Sequence, residues 1–172
     1  MESIPYDKRS GKIWFNGKTV DWKDANIHIL NHGLHYASCV FEGERVYDGE
    51  IFKLEDHTER LFYSAKRMGI EVPYSQKEIN DACKKIINIQ KVKNGYVRPL
   101  IWRGSEMMAI SAQKNKIHVA IATWEWGSYF DPKLKLNGIK LNISSWRRPA
   151  PNTIPWDTKA AGLYMICTLS KH

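Results

Sequence analysis

Two dipeptides limit the topologies open to this chain. Asn16-Gly17 lies between Ile13-Trp14-Phe15 and Lys18-Thr19-Val20, and Asp48-Gly49 lies between Arg45-Val46-Tyr47 and Glu50-Ile51-Phe52. A two-residue hairpin turn of type I′ needs positive φ at both central positions, which Asn-Gly and Asp-Gly supply at least cost. Both segments therefore read as β-hairpins, the building units of antiparallel sheet.

Two helices follow. Asp56 can cap a segment that places Leu61, Phe62, Ala65 and Met68 on one face and ends at Gly69. Ser75-Gln76-Lys77-Glu78 is a capping box, and Ile79, Ala82, Cys83, Ile86 and Ile87 repeat at helical spacing behind it. Strands are expected at Tyr96–Trp102, where Pro99 disturbs the ladder or marks an edge, and at Ile117–Trp124, with His118 inside it. Ile139–Trp146 reads as a further strand. Strands, then helices, then strands indicate an α+β fold, with helices packed on a largely antiparallel sheet. Residues 1–125 form the first domain on this reading, and 126–138, where periodicity is lost, a linker. Residues 139–172 are too few to close a core of their own and read as the truncated start of a second domain. The last helix reaches His172 with no glycine or proline stop, as in a chain cut short.

With 43% hydrophobic and 26% charged residues, the 172-residue chain has the balance of a soluble globule. Cys39, Cys83 and Cys167 are odd in number and far apart, which fits neither a disulfide framework nor a zinc site. A reduced, cytoplasmic setting is the simplest reading. The opening MESIPYDKRSGK is no signal peptide, and the longest nearly apolar run, Ala160–Leu169, is too short to cross a bilayer. A net charge of +8 raises nucleic acid as a partner. The basic residues are scattered among acids, however, and are densest only between Lys133 and Arg148. An anionic cofactor with carboxylate substrates accounts for the surplus at least as well, and a solvated basic face is the plain alternative.

Several side chains could carry chemistry. Lys159 follows a loop with Pro149, Pro151 and Pro155 and precedes Ala160-Ala161-Gly162, with Tyr164 five positions on. In a pocket it would lose charge by desolvation and become nucleophilic; otherwise it is a surface lysine near a helix start. Arg60 reads as part of a helix's first turn, where N–H groups and the dipole favour anions, or as an i,i+4 partner of Asp56. His57 beside it reads as solvated. Tyr96 and Arg98 share one strand face, a pairing that suits a carboxylate or a structural strand edge. Trp124, Trp126 and Tyr129 line an apolar pocket or close a core. The spacing of His28, His32 and His35 invites a metal, but no acidic or sulfur ligand completes the set, and core and turn packing is the alternative.

Read together, the segments resemble one family. They are Ile13–Gly17, His35-Tyr36 with Val40–Arg45, His57–Leu61, Tyr96–Leu100, and Ser145–Pro155 ending at Lys159. In that order they resemble the fold-type IV pyridoxal-phosphate aminotransferases, and look most like the branched-chain amino-acid aminotransferases. The resemblance implies a homodimer that moves the amino group of leucine, isoleucine or valine to 2-oxoglutarate through a Schiff base of pyridoxal 5′-phosphate on Lys159. The same amine then moves the proton between the substrate α-carbon and the cofactor. It implies a cofactor-phosphate contact for Arg60 and a place for Tyr164 near the cofactor's phenolic oxygen. Phe41, Trp126 and Tyr129 resemble pocket walls; Arg98 with Tyr36 and Tyr129 resembles the set that takes a glutamate side-chain carboxylate. Tyr96 would lie close to the reacting amino acid, and Tyr36 with the loop around Ile110 would reach the neighbouring subunit's site. In the family a second domain follows the lysine. It supplies the acid for the cofactor's ring nitrogen, a further phosphate seat and donors for the substrate α-carboxylate. None of those positions falls within these 172 residues, which predicts little or no activity for this chain alone. The rival readings are a D-amino-acid aminotransferase, an aminodeoxychorismate lyase, and a non-catalytic fragment or binding domain.

Overall fold

Both hairpins close at the dipeptides that specify them. In the computed structural model, which describes residues 4–127 and 136–172, β1 (Lys12–Phe15) and β2 (Lys18–Asp21) turn at Asn16 and Gly17 with φ of 48° and 86°. A short helix α1 (His32–Tyr36) and strand β3 (Cys39–Phe41) come next. β4 (Glu44–Tyr47) and β5 (Glu50–Ile51) then turn at Asp48 and Gly49 with φ of 49° and 84°. Helices α2 (Leu54–Arg67) and α3 (Gln76–Gln90) lead to the two long strands β6 (Gly95–Arg103) and β7 (Ile117–Glu125). Helix α4 (Met165–Lys171), preceded by a 3-10 turn at Ala161–Tyr164, is the last element.

Among the described residues the strands make one antiparallel sheet in the order β2-β1-β7-β6-β4-β5, with β3 also paired to β6. The expected α+β architecture is therefore present. α3 starts at the capping box: Ser75 Oγ accepts the Glu78 N–H at 3.2 Å, and Glu78 accepts the Ser75 N–H at 2.7 Å. Its buried residues are Ile79, Ala82, Cys83, Ile86 and Ile87, the set that the spacing predicts. They pack with Leu61 and Ala65 of α2 on Val97, Ile101, Val119 and Ile121 of the sheet. α2 differs from expectation at its start. Lys53, in the left-handed region at φ 56°, precedes Leu54, so Asp56 lies inside the first turn and pairs with Lys53 at 3.1 Å instead of capping.

Pro99 does not mark an edge, because β6 has β7 on one side and β3 and β4 on the other. β3 and β4 run in one register on β6, since Phe41 faces Leu100 and Glu44 faces Val97. Opposite Pro99 stands Glu42, whose N–H donates to the Pro99 carbonyl at 2.9 Å. Proline has no N–H to return, and the ladder breaks there, separating β3 from β4 at Glu42-Gly43.

The strand expected at Ile139–Trp146 is absent. That stretch has no ladder partner among the described residues, and Leu141 and Ile143 are each 86% exposed. Strand propensity reflects packing against a neighbour, so an apolar run without one stays unpaired. Beyond it the chain returns to the sheet: Ala160 bridges Val40, and Ala160 and Leu163 join the main core. The linker expected over 126–138 falls largely outside the described residues.

Candidate active site

Lys159 is held by its backbone from two sides. Its N–H donates to Ser64 Oγ of α2 at 3.0 Å, and its carbonyl accepts the Phe41 N–H of β3 at 3.2 Å. Two residues earlier, Asp157 accepts from the Tyr63 hydroxyl and pairs with Arg67 at 3.5 Å, which docks the approaching loop on α2. The half-buried Lys159 side chain points its Nζ to the Tyr164 hydroxyl oxygen at 2.6 Å, 4.8 Å from the centre of the Phe41 ring. A free surface lysine has no such seat.

Arg60 shares a cavity of about 290 Å³ with Lys159, Tyr164, Arg148, Trp156 and Cys167. It stands in the second turn of α2, not the first, so the helix N-terminus does not assist it. Nor does it pair with Asp56. Its Nε and Nη2 donate to the two carboxylate oxygens of Glu42 at 2.6 and 2.8 Å, and His57 Nδ1 lies 2.9 Å from the same carboxylate. His57 is therefore engaged, not solvated. Burial alone would raise the Glu42 carboxyl. The Arg60 guanidinium, the Gly43 amide and His57 outweigh it and hold the group below the ordinary carboxylate range.

The other face of the sheet collects the aromatic and guanidinium groups. The Arg98 guanidinium lies 4.7 Å from the Phe41 ring centre and 5.4 Å from that of Tyr96. The Tyr96 ring meets Trp126 at 4.9 Å and Trp124 at 5.4 Å. Gly43 makes room for it: a Cβ at that position would fall 1.8 Å from the Tyr96 hydroxyl. Arg98 Nε is buried without a hydrogen-bond partner among the described residues.

The family profile described as Amino-transferase class IV matches residues 39–170. The chain belongs to this family. It is 42% identical over 166 residues to the branched-chain-amino-acid aminotransferase of Pseudomonas aeruginosa, a match covering 94% of this chain and 54% of the relative. The fold is similar to that of a T.th. branched-chain amino acid aminotransferase solved with pyridoxamine 5′-phosphate, with a TM-score of 0.90 at 34% identity, covering 95% of this chain and 55% of that one. The same enzyme complexed with N-(5′-phosphopyridoxyl)-L-glutamate gives a TM-score of 0.84 at 33% identity, over 95% and 53% of the two chains. This class IV aminotransferase chain thus spans about half the length of the relatives it matches.

The matched region runs from the start of β3 nearly to the end of α4, so it contains every residue placed around Lys159. Tyr36 lies before it. Its hydroxyl donates to the Met108 carbonyl at 3.1 Å and its ring stacks on His32 at 4.5 Å, so it sits with the 105–110 loop. Tyr129 lies outside the described residues. The three histidines have separate partners: His28 accepts from the Leu30 N–H, His32 binds Ser38 Oγ and the Ala109 carbonyl, and His35 binds the Ile29 carbonyl. His32 and His35 lie on a short helix, where β-rich surroundings were expected. No group of three potential metal-binding side chains occurs among the described residues. All three cysteines are free thiols, and burial pushes Cys39 up to about 12.

Sequence reasoning did not single out Glu42, Ser64 or Asp157. A signal existed for the first. Val40, Glu42, Glu44 and Val46 alternate along one strand face, which places two acids among core residues. Glu44 has both carboxylate oxygens buried and without a partner among the described residues, and burial together with the Glu42 charge pushes its carboxyl up to about 8.

Proposed function

We propose that this chain supplies the catalytic lysine and one wall of the pocket of a branched-chain amino-acid aminotransferase. The reaction would move the amino group of leucine, isoleucine or valine to 2-oxoglutarate. The observation that carries this reading is the Lys159 Nζ, 2.6 Å from the Tyr164 hydroxyl, in one cavity with the Arg60 guanidinium. Those residues fit pyridoxal 5′-phosphate: a fixed cation for the phosphate, an amine for the aldehyde and a phenol for the ring's hydroxyl side. A relative solved with pyridoxamine 5′-phosphate supports the choice. Bound there, the cofactor supplies the electron-withdrawing ring that acidifies the substrate α-carbon–hydrogen bond.

This chain's own residues do the rest. Lys159 Nζ would carry the proton between the substrate α-carbon and the cofactor, while Tyr164 holds that nitrogen in place. Arg60 binds the phosphate. Phe41, Tyr96 and Trp126 give an aliphatic side chain an apolar wall, with Tyr129 as a further wall. Arg98, whose Nε has no protein partner among the described residues, takes the second carboxylate of glutamate or 2-oxoglutarate, with Tyr36 and Tyr129 beside it. On this reading residues 1–125 form the first domain, 126–138 the linker and 139–172 the start of the cofactor domain. The protein works in the cytoplasm as a homodimer, and Tyr36 with the Ile110 loop faces the neighbouring pocket.

Absorbance titration with pyridoxal phosphate tests the assignment. A saturable imine band that Lys159→Ala removes is the expected result. A band of equal strength in the variant would sink it.

A further inference from the structure

We propose that Glu42 is a positioning residue for Arg60, turning a helix-surface arginine into a fixed anion fork at the Lys159 cavity. The inference rests on the reading of Arg60 as a phosphate ligand and adds what makes that arginine competent.

An arginine on a helix surface samples many rotamers, and the Arg60 side chain is 52% exposed. Glu42 is the opposite. It is 0% exposed, and its backbone N–H is bonded to Pro99 in the middle of the sheet. Its two oxygens take Nε and Nη2 of Arg60 as a pair, at 2.6 and 2.8 Å. A two-point contact of this kind fixes the plane of the guanidinium as well as its position. Its Nη1 is the nitrogen that neither Glu42 nor His57 engages. His57 Nδ1, 2.9 Å from Oε2, and the Gly43 N–H, 3.2 Å from it, hold the carboxylate in turn. The arrangement is pre-organised, so an anion does not have to order the arginine when it binds.

The test uses the 172-residue chain. Inorganic phosphate is titrated while the Arg60 Nε–Hε resonance is followed, assigned by its loss in Arg60→Lys. A saturable shift is expected in the wild type. In Glu42→Gln the phosphate dissociation constant should rise about tenfold or more, the scale of one hydrogen bond to a charged group. A second measurement compares pyridoxal phosphate with pyridoxal, which lacks the phosphate. Glu42→Gln should weaken capture of the first and leave imine formation with the second within about twofold.

Three results overturn the proposal: a wild-type Arg60 resonance indifferent to phosphate, a Glu42→Gln variant that binds phosphate as the wild type does, or equal losses for both aldehydes. Should Glu42→Gln fail to fold, Glu42→Asp decides the same way. It keeps the charge but ends one methylene short of the fork, and an undiminished phosphate response in it overturns the proposal. An imine band that survives Lys159→Ala counts against the cofactor reading alone, so the two readings fail separately.

Discussion

The two faces of the sheet come from the same strands, taken residue by alternate residue, yet they differ in what they do. On β6, Val97, Pro99 and Ile101 turn toward α2 and α3 and are buried, while Tyr96, Arg98 and Leu100 turn away and stay half-exposed. β7 repeats the pattern, with Val119, Ile121 and Thr123 buried and Ala120, Ala122 and Trp124 on the opposite side. The covered face holds the chain together by burying apolar surface. The open face keeps aromatic rings and a guanidinium together, with the short helix α1 packed only at its Trp102 end, where Gly33 meets the Trp102 side chain. Lys159 sits at the border: its amide is tied to α2 on the covered side, and its amine lies over Phe41, which belongs to the open side. The covered face therefore governs stability, and on the proposed reading the open face governs recognition. Glu42 and Glu44 are the acids on the covered side, the first paired with Arg60 and the second without a partner among the described residues.

Substitutions can break that division. Ile86→Ala, at a fully buried position of α3, should cost about 2–5 kcal/mol in urea unfolding. Leu100→Ala on the open face should cost clearly less, and equal losses would erase the distinction. Glu44→Leu should act in the other direction, adding about 1–4 kcal/mol at pH 8 by removing a buried acid that has no partner among the described residues. The sign follows from the proton. The folded carboxyl titrates at about 8 against an ordinary value of 4.5, so the folded state keeps its proton through that window. The stability it contributes below pH 4.5 is lost as pH rises toward 8, and Glu44→Leu should flatten that decline in a series of thermal melts. Ser75→Ala should cost about 1 kcal/mol by removing one side of the capping box, with no change in cofactor uptake. Arg98→Lys should move stability least, within about 0.5 kcal/mol, and yet weaken capture of a dicarboxylate. A large fall in melting temperature there would show that the open face is structural as well.

Much of the fold was legible because its signals are local. Asn16-Gly17, Asp48-Gly49 and Ser75–Glu78 each set a backbone conformation through their own chemistry, and the spacing of Ile79 to Ile87 decides which face of α3 is buried. Errors arose where the outcome depended on a distant neighbour. Pro99 read as a disturbed ladder or an edge, and the choice between them, a break opposite Glu42-Gly43 inside the sheet, is one that only strand pairing reveals. Ile139–Trp146 has strand composition and no strand beside it among the described residues. His57 read as solvated, and Arg60 as a first-turn anion site or a partner of Asp56, because the carboxylate that binds both lies 15 and 18 residues earlier.

The candidate site divides in the same way. Sequence by itself determined that Tyr96 and Arg98 share a strand face, since alternation is a property of the extended chain, and that Lys159 follows a proline-rich loop and precedes a turn of small residues. The tertiary structure decided the rest. It brought Ser64 and Phe41 to the two sides of the Lys159 backbone, Tyr164 to its amine and Glu42 to the guanidinium of Arg60. Local propensity acts over a few bonds, whereas all of these contacts except that of Tyr164 join residues between 18 and 118 positions apart. Burial of the shared core sets them, and no single segment encodes that.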